Sequence, residues 1–125
     1  MPTADPETIA LQFNECINNA DIQGLEELMT EDHIFIDMAN NRIKGKASNI
    51  AMAWKPFFKQ FPIYKNIFKN VVAKDTIVIM QGYSVCSEEI LNNIRAIWVA
   101  EIIENKVGLW HIYPDTKENR EMLNL

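Results

Sequence analysis

The sharpest pattern in the chain lies over residues 95–114, RAIWVAEIIENKVGLWHIYP, where two apolar stretches flank the polar Glu104-Asn105-Lys106. Residues 96–103 are almost continuously apolar, which predicts a strand buried on both faces. Helices of the same chain can cover one face, and a partner subunit is the natural cover for the other. A three-residue turn sets Ala100 opposite Trp110 and Trp98 opposite Ile112 on one face. Ile97, Val99 and Glu101 then share the other face with Leu109, His111 and Tyr113. A two-residue turn reverses this, because a slip of one residue sends every side chain to the opposite face.

Upstream, Asp5-Pro6-Glu7 marks a helix start, with an acid as N-cap and proline at the first helical position. Ile9, Phe13, Cys16, Ile17 and Ala20 follow at helical spacing, predicting a helix over residues 6–19. Asp21 caps a second, shorter helix carrying Ile22, Leu25, Leu28 and Met29. The segment HIFID, residues 33–37, switches to a strand, and Asn40-Asn41 turns the chain back toward Gly45. Ser48 is placed to cap a third helix through Ile50, Met52, Trp54, Phe57, Phe58 and Phe61. Pro56 must kink that helix or start a new turn, and Pro62 ends it. The period then becomes two, predicting strands over 64–72, 77–86, 96–103 and 107–113. In the tail, Asp115 with Glu118 predicts a last helical turn. Helices first and an antiparallel sheet after them make an α+β single domain over residues 1–125.

Composition narrows the classes. The chain has 125 residues, 48% apolar and 23% charged, with a net charge of -5. These are ordinary globular values, and the acidic balance argues against a nucleic-acid partner. Cys16 and Cys86 have no metal or redox spacing and read as free thiols of a reducing, cytoplasmic protein. No apolar run reaches membrane length, and MPTADPET lacks the basic and apolar regions of a signal peptide. With two histidines far apart and four glycines, neither a metal site nor a phosphate loop is expected, and no cofactor is implied.

The order of elements resembles the nuclear transport factor 2-like superfamily, with its cystatin-like α+β architecture, and in particular its SnoaL-like branch. The resemblance rests on NNADIQGLEELM, HIFID, RIKGKASNI and an aromatic helix, and most of all on AIWVAEIIENKVGLWHIYPDT. It covers essentially the whole chain. It implies a curved antiparallel sheet wrapped around the N-terminal helices, a cone with an apolar pocket, and a homodimer through the outer sheet face. In ketosteroid-isomerase-like and SnoaL-like members, an aspartate at the position of Asp37 is the general base. Phe13 stands where the isomerase has its oxyanion tyrosine, and Trp98 about where its protonated aspartate lies. This chain therefore departs from the isomerase at both oxyanion donors, and that stabilisation is usually the largest catalytic contribution. The fold hosts enzymes and plain binding proteins alike, so it does not name a reaction.

Two functions follow as expectations. One is acid–base chemistry of isomerase, cyclase or lyase type on a hydrophobic organic substrate, with Asp37 as catalytic base. The other is a non-catalytic ligand-binding protein or dimeric interaction module, in which Asp37 orients a ligand group or caps the turn around Asn40. The expected pocket wall is Phe13, Ile17, Phe35, Trp54, Phe58, Trp98 and Trp110. Gln81 and Tyr83 are expected to face Asp37 as further polar groups. His33 shares a face with Asp37, but about 13 Å separates residues four apart on a strand. It reads better as a structural histidine near Glu31 and Asp32. His111 and Glu101 are read as an interface salt bridge.

Overall fold

The computed structural model describes residues 5–125. Asp5 is the extended N-cap of α1 (Pro6–Asn18), but its side chain makes no capping bond. The helix turns Ile9, Ala10, Phe13 and Ile17 inward, as the apolar spacing requires. In α2 (Ile22–Leu28) the Asp21 carboxylate does cap, accepting from the Gly24 N–H at 2.9 Å. Met29 belongs not to this helix but to β1 (Met29–Ile36), which therefore begins well before His33. After β2 (Arg42–Lys44) the third helical region is composite: α3 (Lys46–Ser48), a π-helical segment (Asn49–Trp54) and α4 (Lys55–Gln60).

Pro56 accounts for the wide turn. It has no N–H to give and its ring crowds the preceding turn, so the ladder loosens to the π pattern just before it. The Lys55 N–H bonds the Ile50 carbonyl five residues back. Gly45, with φ 103°, is the N-cap of this region, and Ser48 lies inside it. Buried Asn49 fastens the whole segment: its amide nitrogen lies 3.0, 3.1 and 2.8 Å from the carbonyls of His33, Ile43 and Gly45.

The remaining strands are β3 (Tyr64–Lys74), β4 (Ile77–Cys86), β5 (Arg95–Ile103) and β6 (Lys106–Pro114), followed by α5 (Lys117–Met122). Thr116, not Asp115, caps α5, its hydroxyl accepting from the Asn119 N–H at 3.1 Å. The six strands form one open, curved sheet in the order β2-β1-β6-β5-β4-β3. Four ladders are antiparallel and β1–β6 is parallel. The architecture is the α+β cone that the resemblance implied.

The organising hairpin pairs Ala100 with Trp110 and Trp98 with Ile112, the register of a three-residue turn. The turn itself has two residues, Glu104 (φ 50°) and Asn105 (φ 65°), of the type that suits strand twist. A bulge between Glu101 and Ile102 restores the lost residue on the β6 side at Gly108. A Cβ there would lie 2.7 Å from Ile103 Cδ1. Turn and bulge together keep both tryptophans inward. The helices and the inner sheet face enclose the main core, which includes Phe13, Ile17, Leu25, Met29, Met80, Trp98 and Trp110. Ile36, Ile97 and Val99 are also buried but lie outside it. Ile97 and Val99 are 0% and 8% exposed in the single chain, so the apolar run of β5 reaches two-sided burial without a second subunit. Among the described residues, no helix is long and apolar enough to cross a membrane.

Candidate functional site

A cavity of about 560 Å³ opens between the π–α4 segment and the inner sheet face. Phe35 comes to it from β1, Trp54 and Phe57 from the helical segment, Trp98 from β5, and Trp110 and Ile112 from β6. The Trp54 ring is fixed by Phe35 at 5.3 Å and Phe58 at 5.6 Å between centroids. Met52 and Ile90, 67% and 76% exposed, stand at the rim.

Four polar side chains other than the indoles reach this wall: Asp37, Tyr64, Asn66 and Ser84. Asp37 follows β1 and is held by the next turn. Its Oδ1 accepts from the N–H groups of Ala39 and Asn41 at 2.9 and 2.8 Å, and Oδ2 from the Asn41 side chain at 3.1 Å. Asp37 thus caps the Asn40 turn while also lining the cavity. Tyr64, Asn66 and Ser84 sit on adjacent strands, with Asn66 directly opposite Ser84. Burial, assisted by Cys86, pushes the Tyr64 hydroxyl well above the usual tyrosine range, against the pull of a hydrogen bond with Ser84. The Ser84 hydroxyl donates to the Leu91 carbonyl and accepts from the Ile94 N–H, tying down the loop beside the cavity. Asn66 is locked to α1, its Nδ2 donating to Asn14 Oδ1 at 3.0 Å and its N–H to Asn18 Oδ1 at 2.8 Å.

Of the residues expected in the pocket, Phe35, Asp37, Trp54, Trp98 and Trp110 stand in this wall. Phe13, Ile17 and Phe58 do not. Phe13 is sealed between His33 and Trp110, at ring distances of 5.6 and 4.7 Å, and Ile17 is 1% exposed in the core. Phe58 supports Trp54 from behind. Gln81 and Tyr83 are on the opposite face, because β4 turns its even positions inward: Val78, Met80, Gly82, Ser84 and Cys86 are all buried. They line a separate cleft of about 230 Å³ with Arg95 and Asp115. There Asp115 accepts from Gln81 at 3.2 Å and pairs with Arg120. Burial would raise its carboxyl, but the Arg120 and Gln81 hydrogen bonds and the nearby guanidinium charges hold it below the ordinary range.

His33 is 0% exposed, and burial lowers its pKa to about 4, against the pull of the Val107 carbonyl and Asp32. Its Nδ1 lies 2.6 Å from the Val107 carbonyl oxygen and therefore carries the proton, making it a neutral core histidine. His111 stacks on Tyr113 at 3.8 Å, and burial and Arg42 lower its pKa. The ion pairs among the described residues are Lys46–Glu31 and Arg120–Asp115, so His111 and Glu101 form no salt bridge within the chain. Both cysteines are free, and no group of three or more metal-ligating side chains occurs among the described residues.

Sequence reasoning missed Tyr64, Asn66 and Ser84. Spacing gave no signal for the inward set, because Ile77, Ile79 and Val85 on one face of β4 are as apolar as Val78, Met80 and Cys86 on the other.

The sequence matches no family model and none of the curated proteins. Solved structures do match. A candidate SnoaL-like polyketide cyclase from Shewanella putrefaciens is similar with a TM-score of 0.79 at 16% identity, over 99% of this chain and 87% of that one. An NTF2-like protein of unknown function from Cytophaga hutchinsonii gives 0.73 at 13% identity, over 100% of both chains. An epoxide hydrolase from M. tuberculosis described as LEH-like gives 0.77 at 13% identity, over 88% of this chain and 78% of that one. The likeness along most of the chain gives this protein the fold of these structures, the NTF2-like α+β cone.

Proposed function

We propose that this protein binds a small hydrophobic organic molecule in the aromatic cavity. The observation that carries this reading is an open space of about 560 Å³ with an aromatic and aliphatic wall and a few polar groups. That size and lining suit a small-molecule site. The relatives named as a polyketide cyclase and an epoxide hydrolase support a pocket used on organic molecules. Acid–base catalysis by Asp37 is the second reading, favoured by its place in the wall. Against it, both carboxylate oxygens already accept hydrogen bonds from the turn, which suits a structural acceptor better than a free base.

Titration with anilinonaphthalene sulfonate tests the binding reading. Saturable binding to the unmodified protein, lost in an Ala53→Trp variant that fills the cavity and kept in a surface Val72→Lys variant, is the expected result. Equal, unsaturable binding to all three would remove the pocket from consideration. For the second reading, steroid isomerase activity well above buffer that disappears in Asp37→Asn would make Asp37 a base. We expect no such activity.

The homodimer is also a proposal. Half-buried Ile34, Ile77, Ile79 and Leu109 surround buried Ile97 and Val99, with Val72 and Ile103 exposed at 50% and 44%. An apolar area of this kind suits a second copy. Light scattering at micromolar concentration should give a dimer mass, and Ile79→Lys a monomer. A monomer before substitution ends the idea.

A further inference from the structure

The outer sheet face carries charges that the single chain leaves unpaired. Residues paired across adjacent strands share a face. The ladders set Glu101 of β5, Leu109 of β6, Ile34 of β1 and Lys44 of β2 in one row. Val99, His111, Ile36 and Arg42 form the next row. Between the two rows, Phe35 and Trp110 point into the cavity, so both rows point out. The first row is thus an acid and a lysine separated by two apolar side chains. Neither charge is answered at home, because the ion pairs among the described residues are Lys46–Glu31 and Arg120–Asp115. Glu101 is half-buried between Ile77 and Leu109, while Arg42 and Lys44 are exposed on the edge strand.

Resting on the reading that this face holds a second copy, we propose that the twofold axis runs along the strands between β6 and β1, so that Glu101 of each copy pairs with Lys44 of the other. Adjacent strands lie about 4.8 Å apart, so Glu101 and Lys44 stand about 14 Å apart, evenly placed about the Leu109–Ile34 midpoint. A half-turn about that axis exchanges the two positions. The acid of one copy then meets the lysine of the other twice, with Arg42 alongside, and Leu109 meets Ile34 between them. The pattern is self-complementary, as a contact between identical surfaces requires. It also sets apolar side chains at the centre and charges at the border, the usual anatomy of an interface. An axis along the row would instead set Glu101 against Glu101. One along β4 would bring Glu101 to Lys74 at the far end of the row, but would leave Leu109 and Ile34 uncovered.

Sedimentation equilibrium of charge-reversed variants tests the pairing. Glu101→Lys and Lys44→Glu should each weaken the dimer at least about tenfold, because like charges then face each other at two symmetric places. An equimolar mixture of these two variants should dimerise nearly as well as the unmodified protein, since each supplies the charge that the other lacks. Lys74→Glu should leave the dimer as it is. If Glu101→Lys fails to fold, Lys44→Glu against Lys74→Glu decides alone, since both lysines are exposed. A dimer unmoved by reversal at Lys44, or weakened as much by reversal at Lys74, would overturn the pairing and leave the dimer standing. Single variants that weaken the dimer but do not rescue each other would overturn the pairing as well. A monomer from the unmodified protein would overturn both.

Discussion

The two ends of the cone use similar residues to opposite effect. At the end capped by α1 and α2, Phe13, Ile17, Leu25, Met29 and Val107 are at most 1% exposed and fill the space completely. At the other end, the π–α4 segment brings Trp54 and Phe57 toward the sheet and leaves a cavity. Trp110 is the divider, with Phe13 at 4.7 Å on one side and the cavity on the other. The difference lies in the covering helix. A regular α1 with four apolar residues on one stripe seats them in the sheet, whereas a helix loosened before Pro56 cannot present so continuous a face. A pocket here results from incomplete cover of an apolar surface, not from a lack of apolar side chains.

Truncation should separate the two ends most strongly. Phe13→Ala leaves a void in the filled end and should cost about 3–5 kcal/mol in denaturant melts. Met52→Ala, at the exposed rim, should change stability by less than about 0.5 kcal/mol. Similar costs at the two sites would mean that the cavity closes in solution.

The filled end should also carry the pH sensitivity, through His33. Its pKa is about 4 in the folded protein against 6.5 in the unfolded chain, so the unfolded state binds the proton more readily. The stabilisation is complete above about pH 6.5 and is lost as pH falls from there through 4, on the order of 3 kcal/mol. His33→Gln, which keeps a donor for the Val107 carbonyl, should flatten that slope. An unchanged slope would assign the acid sensitivity to carboxylates elsewhere.

At the cavity end, Asp37→Ala removes the acceptor of two backbone N–H groups and should cost about 0.5–2 kcal/mol, as for a lost cap. Asp37→Asn keeps an oxygen for both and should cost less. A gain in stability at pH 7 from either substitution would return Asp37 to the list of residues held at a cost for catalysis. The smallest effect belongs to the hairpin that serves both ends. Glu104 sits at φ 50° in a turn position that asparagine prefers, so Glu104→Asn should stabilise by a few tenths of a kcal/mol. Destabilisation would show that the Glu104 side chain matters more than its backbone.

The sequence by itself determined most of the elements and their order, because helical and strand periods are local, but not β2 or the π-helical segment. The span of β4 and the apolar stripe of α1 were legible in spacing alone. The pairing of Trp98 with Ile112, one of two registers the sequence allowed, arises for a reason that spacing does not contain, a two-residue turn compensated by the bulge at Gly108. Only the tertiary structure decided which parity of β4 faces inward, since either set, Gln81 and Tyr83 or Gly82 and Ser84, makes a plausible strand face. Contacts with both neighbouring strands decide it: Met80 pairs with inward Trp98 of β5, and Gly82 lies so near the Ile67 carbonyl of β3 that a Cβ would come within 1.9 Å. The parallel β1–β6 pair and the three-way grip of Asn49 likewise join segments far apart in the chain. A one-dimensional pattern fixes what each segment can become. Which faces meet, and whether space is left between them, depends on contacts between segments that no local period records.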